Sequence, residues 1–390
     1  MNKVIYFDNN ATTRVSPEVK EAMDLFLTEL YGNPSSIHQF GGQVKKHLEE
    51  ARAKVASLLG CQPEEIIFTS CGTESDSTAI YSALNAYPEK KHIITTTVEH
   101  PAIYNLCRYL ERQGYRVTYL SVDEEGQLDL DELEKAISPE TAIVSIMWAN
   151  NETGVIMPVE KAAAMAKEKG VLFHTDAVQA AGKIPINLKA NQIDLLSISG
   201  HKLHAPKGVG VLYIRQGTKF VPFLRGGHQE NGRRAGTENV PGIIALGKAS
   251  ELALKNLEKE RSYVGQLRDR LEKGLIESIP NIKINGARAP RLPNTLSVSF
   301  EFVEGESILL LLSDYGICAS TGSACSSGSL EPSHVLQAMK IPFTFAHGTI
   351  RFSLSIYNTE EEADYVLEVL PGVIKKLRDI SPFSSANSAH

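Results

Sequence analysis

The chain has 390 residues, a hydrophobic content of 42%, a charged content of 22% and a formal net charge of −6. This composition is typical of a globular protein and lacks the basic excess that nucleic-acid binding requires. The sequence contains no apolar run near the roughly 18 residues of a membrane span and no signal-peptide core. We therefore expect a cytoplasmic protein whose partners include neither nucleic acid nor a membrane.

Between residues 42 and 215, short apolar segments alternate with amphipathic helical stretches, an order that predicts a mostly parallel sheet covered by helices. The six predicted strands of this region include residues 66–68, 93–95, 117–119, 143–147, 171–173 and 195–198. A further apolar segment at 208–214 follows after a turn too short for a helical crossover, so it should run antiparallel to its predecessor. The sequence thus predicts a mixed α/β sheet.

The C-terminal part is predicted to be a smaller α+β unit. Its predicted elements are a long helical region at 241–278, a strand at 295–300, a helix from about 306, a strand at 350–354 and a helix at 359–378. The polar tail 381–390 is expected to be disordered. The chain is longer than the length at which a single hydrophobic core stops growing. We therefore expect two domains, a large one at 15–255 and a small one formed by 1–14 and 256–390.

The five cysteines predict neither a disulfide framework nor a zinc site, because they are odd in number and contain no Cys-x-x-Cys pair. Cys61, Cys71, Cys107 and Cys318 have apolar neighbours and are interpreted as small core residues. Cys325 lies within a stretch of small polar residues, 320–329, which cannot bury enough apolar surface to be rigid. It is either an incidental cysteine in a linker or a mobile nucleophile, and the second interpretation is favoured.

Lys202 stands just after a predicted strand that breaks at Gly200, and Asp176 and Gln179 follow the preceding strand. Asp176 alone could be an ordinary strand-end acid. An amine and a carboxylate at one sheet edge suit pyridoxal 5'-phosphate, with the lysine bound to the cofactor and the aspartate paired with its pyridinium nitrogen. Gln179 would then reach the phenolic oxygen of the ring, and His100 could stack on the ring and move protons.

Residues 69–76 end a strand, pass through a glycine and open a helix, which is the arrangement of an anion-binding cradle. Gly72 would let the backbone approach a phosphate, and Thr73 would supply a hydroxyl. Thr73 could equally cap its helix, so this signal is weak by itself. The further candidates for binding the phosphate are Ser199, His201 and Thr237.

Two other interpretations of these motifs are possible. Ser199-x-x-Lys202 matches the nucleophilic serine pattern of penicillin-recognising acyl hydrolases, but the Ser-Asp-Asn and Lys-Thr-Gly motifs of that family are missing from the sequence. The pairs His201/His204 and His174/Asp176 could bind a metal, yet the sequence has no third cluster to complete a coordination shell. We therefore predict no metal site.

Taken together, the motifs resemble those of the pyridoxal-phosphate-dependent cysteine desulfurases of the NifS/IscS group, in the order of that family and over nearly the whole chain. The blocks that carry the resemblance are Asp8–Thr13, Gly32–Ser36, Glu99–Pro101, Asn150–Gly154, His174–Gln179, Ser199–Lys202, Arg233–Asn239 and Gly322–Cys325. The segments 71–77 and 226–230 look closer to the nitrogenase-associated NifS branch. The cysteine loop departs slightly, reading Ser-Thr-Gly-Ser-Ala-Cys-Ser where Ser-Ser-Gly-Ser-Ala-Cys-Thr is more common.

The resemblance implies a fold-type I pyridoxal-phosphate transferase, with a mostly parallel mixed sheet in the large domain and a smaller α+β domain that carries the Cys325 loop. It implies that Lys202 binds the cofactor covalently and that His100 shuttles protons. The remaining cofactor contacts would come from Gly72, Thr73, Asn151, Asp176, Gln179, Ser199, His201 and Thr237. Thr237 would reach the phosphate of the neighbouring subunit, which makes the expected enzyme an obligate homodimer.

For the reaction, the resemblance implies that Asn151 and Arg351 position L-cysteine and that Cys325 attacks its sulfur. The products would be L-alanine and a persulfide, which is passed to an iron-sulfur scaffold or another sulfur-acceptor protein. Two alternatives stay open. One is a selenocysteine or cystine lyase of the same fold, and the other is a sulfur-trafficking partner without activity of its own.

Overall fold

The structure, a computed structural model, describes residues 4–321 and 332–381. The α-helices are α1 (Pro17–Thr28), α2 (Gln39–Leu59), α3 (Gly72–Ala86), α4 (Pro101–Arg112), α5 (Leu130–Ala136), α6 (Val159–Glu168), α7 (Val240–Lys259), α8 (Gly265–Ser278), α9 (Gly305–Asp314), α10 (His334–Ala338), α11 (Phe343–Ala346) and α12 (Glu360–Ile380). The strands are β1 (Ile5–Tyr6), β2 (Ile66–Thr69), β3 (His92–Thr96), β4 (Arg116–Leu120), β5 (Thr141–Ser145), β6 (Leu172–Asp176), β7 (Leu195–Ser199), β8 (Gly210–Ile214), β9 (Ile282–Ile284), β10 (Thr295–Phe300), β11 (Ile317–Cys318) and β12 (Thr349–Ser353).

Seven strands form the main sheet in the order β2-β8-β7-β6-β5-β3-β4. Strand β8 runs antiparallel to both of its neighbours, and the other pairs are parallel. The predicted strands of this region and the antiparallel seventh strand are therefore confirmed. Because β5, β6 and β7 are parallel neighbours, the segments that follow their carboxyl ends meet at one edge of the sheet.

Six of the seven strands of the main sheet are buried at nearly every position, whereas the edge strand β4 is partly exposed. Burial on both faces explains why the segments of the inner strands are mostly apolar. Neighbouring residues of one strand belong to different hydrophobic clusters, as Ile93 and Ile94 do, because successive side chains point to opposite faces of the sheet. One face packs against α3 and α4 through residues such as Ile80 and Cys107. The other packs against a larger cluster that includes Leu48 of α2.

A three-stranded antiparallel sheet, in the order β12-β10-β9, forms the core of the C-terminal unit. It shares a separate hydrophobic cluster with α8, α9 and α12, and Ile5 and Phe7 of the N-terminal segment belong to the same cluster. Strand β1 pairs in parallel with β11. The predicted helical region at 241–278 is present, but a π-helical turn at Glu260–Val264 separates α7 from α8. The division into two domains stays a prediction.

The interpretation of four cysteines as core residues is only half right. Cys61 and Cys107 are buried, whereas Cys71 and Cys318 are half-buried. Cys71 is the N-cap residue of α3 and lines a cavity, and Cys318 ends β11 of the two-stranded sheet. The predicted loop around Cys325 from residue 322 onwards, and the predicted disordered tail from 382 onwards, lie outside the described residues.

Within residues 4–321 and 332–381, no helix is long and apolar enough to cross a membrane. In the same part of the chain, no group of three or more histidine, cysteine, aspartate or glutamate side chains is arranged to hold a metal ion.

Candidate active site

The carboxyl ends of β5, β6 and β7 and the first turn of α3 surround a cavity of about 490 Å³. Its size lies in the range of cavities that bind small molecules. Most of the site residues predicted from the sequence line it, namely Gly72, Thr73, His100, Asn151, Asp176, Gln179, Ser199, His201, Lys202 and Arg351. The fold thus brings together residues as far apart in the sequence as Gly72 and Arg351.

Lys202 ends a short 3₁₀ turn directly after β7. Gly200 is required at the start of this turn, because a Cβ there would lie 2.8 Å from Val209 Cγ1. Lys202 Nζ donates to the carbonyl oxygens of Asn10 at 2.5 Å and Ala11 at 2.6 Å. Burial lowers the pKa of Lys202 to about 7, and the charge of Lys183 acts in the same direction. A large share of the amine is therefore uncharged and nucleophilic near neutral pH.

Asp176 is the last residue of β6, and its carboxylate is buried. Oδ1 accepts a hydrogen bond from Val178 N at 2.9 Å. Burial raises the pKa of Asp176, whereas the nearby His100 and Lys202 lower it. Asp76 lines the same cavity, and burial and the charge of Asp176 raise its pKa well above the usual range. A buried carboxylate in these surroundings is stabilised by a bound cation, such as a protonated ring nitrogen.

His100 is the N-cap residue of α4, where its Nδ1 accepts a hydrogen bond from Ala102 N at 3.1 Å. The neutral ring therefore carries its proton on Nε2. Burial lowers the pKa of His100, so the uncharged form prevails at neutral pH. A neutral imidazole at the edge of the cavity is suited to proton transfer.

The first turn of α3 provides the predicted anion-binding cradle. The first backbone N–H groups of a helix have no acceptor inside the helix, and Cys71, the N-cap residue, makes no side-chain hydrogen bond to them. A Cβ on Gly72 would lie 3.0 Å from Val178 Cγ2 and 3.5 Å from Ser199 Cβ, so glycine permits this close approach. Thr73 lies inside the first turn and is exposed, which rules out the alternative that it caps the helix.

Ser199 and His201 line the same cavity as this cradle. Ser199 is buried at the end of β7, and His201 Nδ1 lies 3.2 Å from Thr12 Oγ1. Burial and the charge of Lys202 lower the pKa of His201 to about 4. Thr237 does not join them, because it is exposed and lines a separate cavity of about 90 Å³.

The buried Arg351 of β12 also lines the cavity, and its contacts include two hydrogen bonds of the guanidinium group. Its Nη2 donates to Asp8 Oδ1 at 2.7 Å, and its Nη1 donates to the carbonyl oxygen of Asn151 at 2.9 Å. The backbone of Arg351 also pairs with Ser320, the second residue before the undescribed segment 322–331. His334, which follows that segment, lines the cavity as well. Cys325 lies outside the described residues, but the chain enters and leaves its segment beside the cavity.

Some residues of the site were missed by the sequence analysis. Asn10 accepts from Lys202 and donates through Nδ2 to Thr295 Oγ1 at 2.9 Å, and Asp8 holds Arg351. Both belong to the quoted block Asp8–Thr13, which was the available signal, although no role was assigned to them. His334 carried no signal of its own.

A model of the family described as aminotransferase class-V matches residues 5–366. The chain belongs to the class-V aminotransferases.

This class-V aminotransferase is 62% identical over 385 residues to cysteine desulfurase 2 of Trichormus variabilis, an alignment that covers 98% of this chain and 96% of the relative. It is 58% identical over 384 residues to cysteine desulfurase NifS of Azotobacter vinelandii, with the same two coverages of 98% and 96%. The resemblance to the NifS/IscS group is therefore confirmed.

Solved structures lead to the same group. A NifS-like protein superposes with a TM-score of 0.90 at 44% identity, covering 96% of this chain and 100% of that chain. SspA in complex with cysteine superposes with a TM-score of 0.81 at 35% identity, covering 91% of this chain and 99% of that one. These matches confirm the predicted fold class, a mostly parallel mixed sheet of the class-V aminotransferase type.

Proposed function

We propose that this class-V aminotransferase is a pyridoxal-phosphate-dependent cysteine desulfurase, which converts L-cysteine to L-alanine and a persulfide on Cys325. The observation that carries the proposal is the shared cavity of the Lys202 amine, the buried Asp176 carboxylate and the first turn of α3. The relatives named cysteine desulfurase, at 62% and 58% identity over nearly the full length, support the reaction.

The cavity has the donors and acceptors that pyridoxal phosphate needs. The N–H groups at the start of α3, with Thr73, Ser199 and His201, would bind the phosphate. Asp176 would pair with the ring nitrogen, and the amine of Lys202 would hold the cofactor covalently. When bound, the cofactor supplies an electron-withdrawing ring that stabilises negative charge at the α-carbon of the substrate.

The protein's own residues would orient the substrate and receive its sulfur. Arg351 would bind the substrate carboxylate through its planar fork, assisted by Asn151. His100 would move protons at the cavity edge. The Cys325 thiolate would form an S–S bond with the substrate sulfur as the C–S bond breaks; the electron pair of that bond would stay on Cβ, which then takes up a proton to give alanine.

The position of Cys325 in the chain supports this role. It is four residues from Thr321, so it can lie at most about 14 Å from that residue. Thr321 in turn adjoins Ser320, which pairs with Arg351 at the cavity. The thiol is therefore tethered within reach of the substrate site.

The wider role follows from the resemblance to NifS. The persulfide would be donated to an iron-sulfur scaffold or another acceptor protein, in service of nitrogen fixation, within the cytoplasm. The enzyme would act as a homodimer, because Thr237 is exposed and lies apart from the cavity of its own subunit. Analytical ultracentrifugation should give the mass of two chains, and a monomer with full activity would contradict the shared site.

The deciding experiment is incubation of the purified protein with pyridoxal phosphate and L-cysteine, followed by alanine assay and intact-mass measurement. The expected result is alanine formation and one added sulfur atom, located on Cys325 by peptide mapping. Cys325→Ala should keep the yellow cofactor and lose alanine formation, whereas the matched control Cys318→Ala should keep both. A colourless protein that forms no alanine would refute the proposal.

The same variant separates the alternatives. In a selenocysteine or cystine lyase, Cys325→Ala would keep turnover on selenocysteine or cystine. A sulfur-trafficking partner would gain sulfur only from an external enzyme and would form no alanine by itself.

A further inference from the structure

Lys183 is a buried cation that the proposed reaction does not use. Only 6% of its surface is exposed. Its Nζ donates to the backbone oxygen of Gln179 at 3.1 Å and to Gln179 Oε1 at 3.2 Å. A buried lysine is rare unless its charge is paired or used, so its contacts call for an explanation.

A chain of hydrogen bonds leads from Lys183 to Lys202. Gln179 receives a bond from Lys183 at Oε1 and donates through Nε2 to the carbonyl oxygen of Asn10 at 3.0 Å. The same carbonyl oxygen accepts from Lys202 Nζ at 2.5 Å. Three hydrogen bonds thus join the ammonium of Lys183 to the amine expected to bind the cofactor.

From this geometry we infer that Lys183 is a positioning residue of the site: its ammonium fixes the orientation of the Gln179 amide and disfavours a second positive charge on Lys202. The inference rests on the proposed cofactor site and deepens it.

The orientation follows from the chemistry of the two groups. A glutamine amide has two nearly isosteric orientations that exchange its oxygen and its NH₂ group. An ammonium only donates hydrogen bonds, so Lys183 selects the orientation in which Oε1 faces it. The NH₂ group of Gln179 is then directed at Asn10 and the cavity, where it is available to an oxygen of the ring.

The positive charge of Lys183 also affects the protonation of Lys202. After burial, it is the largest influence that lowers the pKa of Lys202. The ionisable groups around Lys202 come from several elements, and they are Asp8, His100, Asp176, Lys183, His201 and Arg351. Within this set, Lys183 and Arg351 oppose protonation of Lys202, whereas Asp8 and Asp176 favour it.

Glu260 is a nearby acid whose charge favours the protonated form of Lys183, although burial raises the pKa of Glu260 itself to about 7. It is buried in the π-helical turn between α7 and α8, and among the described residues its Oε2 has no hydrogen-bond partner. Lys183, Glu260 and Lys202 line a second cavity, of about 240 Å³. Burial lowers the pKa of Lys183 to about 8, and the charge of Glu260 opposes this decrease. Lys183 therefore stays mostly protonated at neutral pH.

The test uses the cofactor-free protein, so its readout is independent of activity. Lys202 is acylated with trace acetic anhydride over a pH series, and the modified peptide is quantified by mass spectrometry. In Lys183→Gln and Lys183→Met, the midpoint of Lys202 acylation should rise by about 0.5 to 1 pH unit, because a nearby positive charge has been removed. Lys183→Arg keeps the charge, and the adjacent cavity has room for the guanidinium, so its midpoint should stay at the wild-type value.

The control is Lys189→Met, which removes an exposed lysine from the same segment and should leave the midpoint unchanged. An unchanged midpoint in Lys183→Gln, with wild-type circular dichroism and melting temperature, would overturn the electrostatic role. If Lys183→Met does not fold, the electrostatic role is tested by comparing the acylation midpoints of Lys183→Gln and Lys183→Arg, since only Lys183→Arg keeps the charge.

The orientation of Gln179 is tested by a double-mutant cycle on pyridoxal phosphate dissociation from the Lys202→Ala protein. Lys183→Gln and Gln179→Leu should combine with at least threefold non-additivity, and independent effects would refute the positioning role. A wild-type protein that does not capture pyridoxal phosphate would refute the proposed function. Normal capture with an unchanged acylation midpoint would refute only the inference about Lys183.

Discussion

Gly72→Ala is the sharpest test of the anion cradle, because the change adds one methyl group at a defined place. The new Cβ would lie 3.0 Å from Val178 Cγ2, closer than ordinary van der Waals contact. Val178 cannot easily withdraw, because its β-branched side chain is stiff and its backbone N–H is bonded to Asp176 Oδ1 at 2.9 Å. We therefore expect the first turn of α3 to move away from the cavity.

The displacement should weaken phosphate binding by a predictable amount. A hydrogen bond to a charged group contributes about 1.5 to 3 kcal/mol. Loss of about one such bond raises the dissociation constant of pyridoxal phosphate roughly 10- to 100-fold, since each 1.4 kcal/mol is about a factor of ten. The helix itself should not be weakened, because alanine is a better helix former than glycine by about 0.5 to 1 kcal/mol.

The assay is equilibrium binding of pyridoxal phosphate to Gly72→Ala in the Lys202→Ala background, where capture is reversible. Val178→Ala should restore much of the lost affinity by removing the clashing methyl groups. Gly42→Ala is the matched control, because a Cβ at this helical glycine has no atom within 4 Å. An unchanged dissociation constant in Gly72→Ala, or no rescue by Val178→Ala, would refute the steric reasoning.

Three further changes probe other parts of the site. Arg351→Lys should raise KM for L-cysteine about 10- to 100-fold with unchanged cofactor absorbance, because a single ammonium cannot replace a planar fork; loss of the cofactor instead would contradict a role in substrate binding. Asp176→Asn should lower turnover by about 10- to 100-fold and alter the cofactor spectrum, because a neutral amide cannot balance a ring cation; an unaltered spectrum would count against the pairing. Burial lowers the pKa of His174 from 6.5 to about 3, so unfolding takes up a proton and stability is lost as pH falls below about 6.5. His174→Gln should reduce this loss by up to about 1.4 kcal/mol per pH unit in urea unfolding between pH 4 and 6, and an identical slope would show that His174 is not the group involved.

Much of the fold follows from local patterns in the sequence. Runs such as 143–147 and 195–198 are apolar except for one serine each, Ser145 and Ser197, because their strands are covered on both faces, and the alternation with helices predicts parallel order. In a parallel sheet, residues that follow successive strands meet at one edge. The placement of Asp176 and Lys202 around one cavity could therefore be predicted from their positions after neighbouring strands.

The tertiary structure alone decided the contacts between distant parts of the chain. Asp8 meets Arg351, and Asn10 meets Lys202, across 343 and 192 positions. It also placed Lys183 against Gln179 and left Cys71 half-buried. Periodicity reports which face of an element is buried, because burial repeats with the geometry of a strand or a helix. A single hydrogen bond between two remote segments has no period, so it exists only once the whole chain has packed.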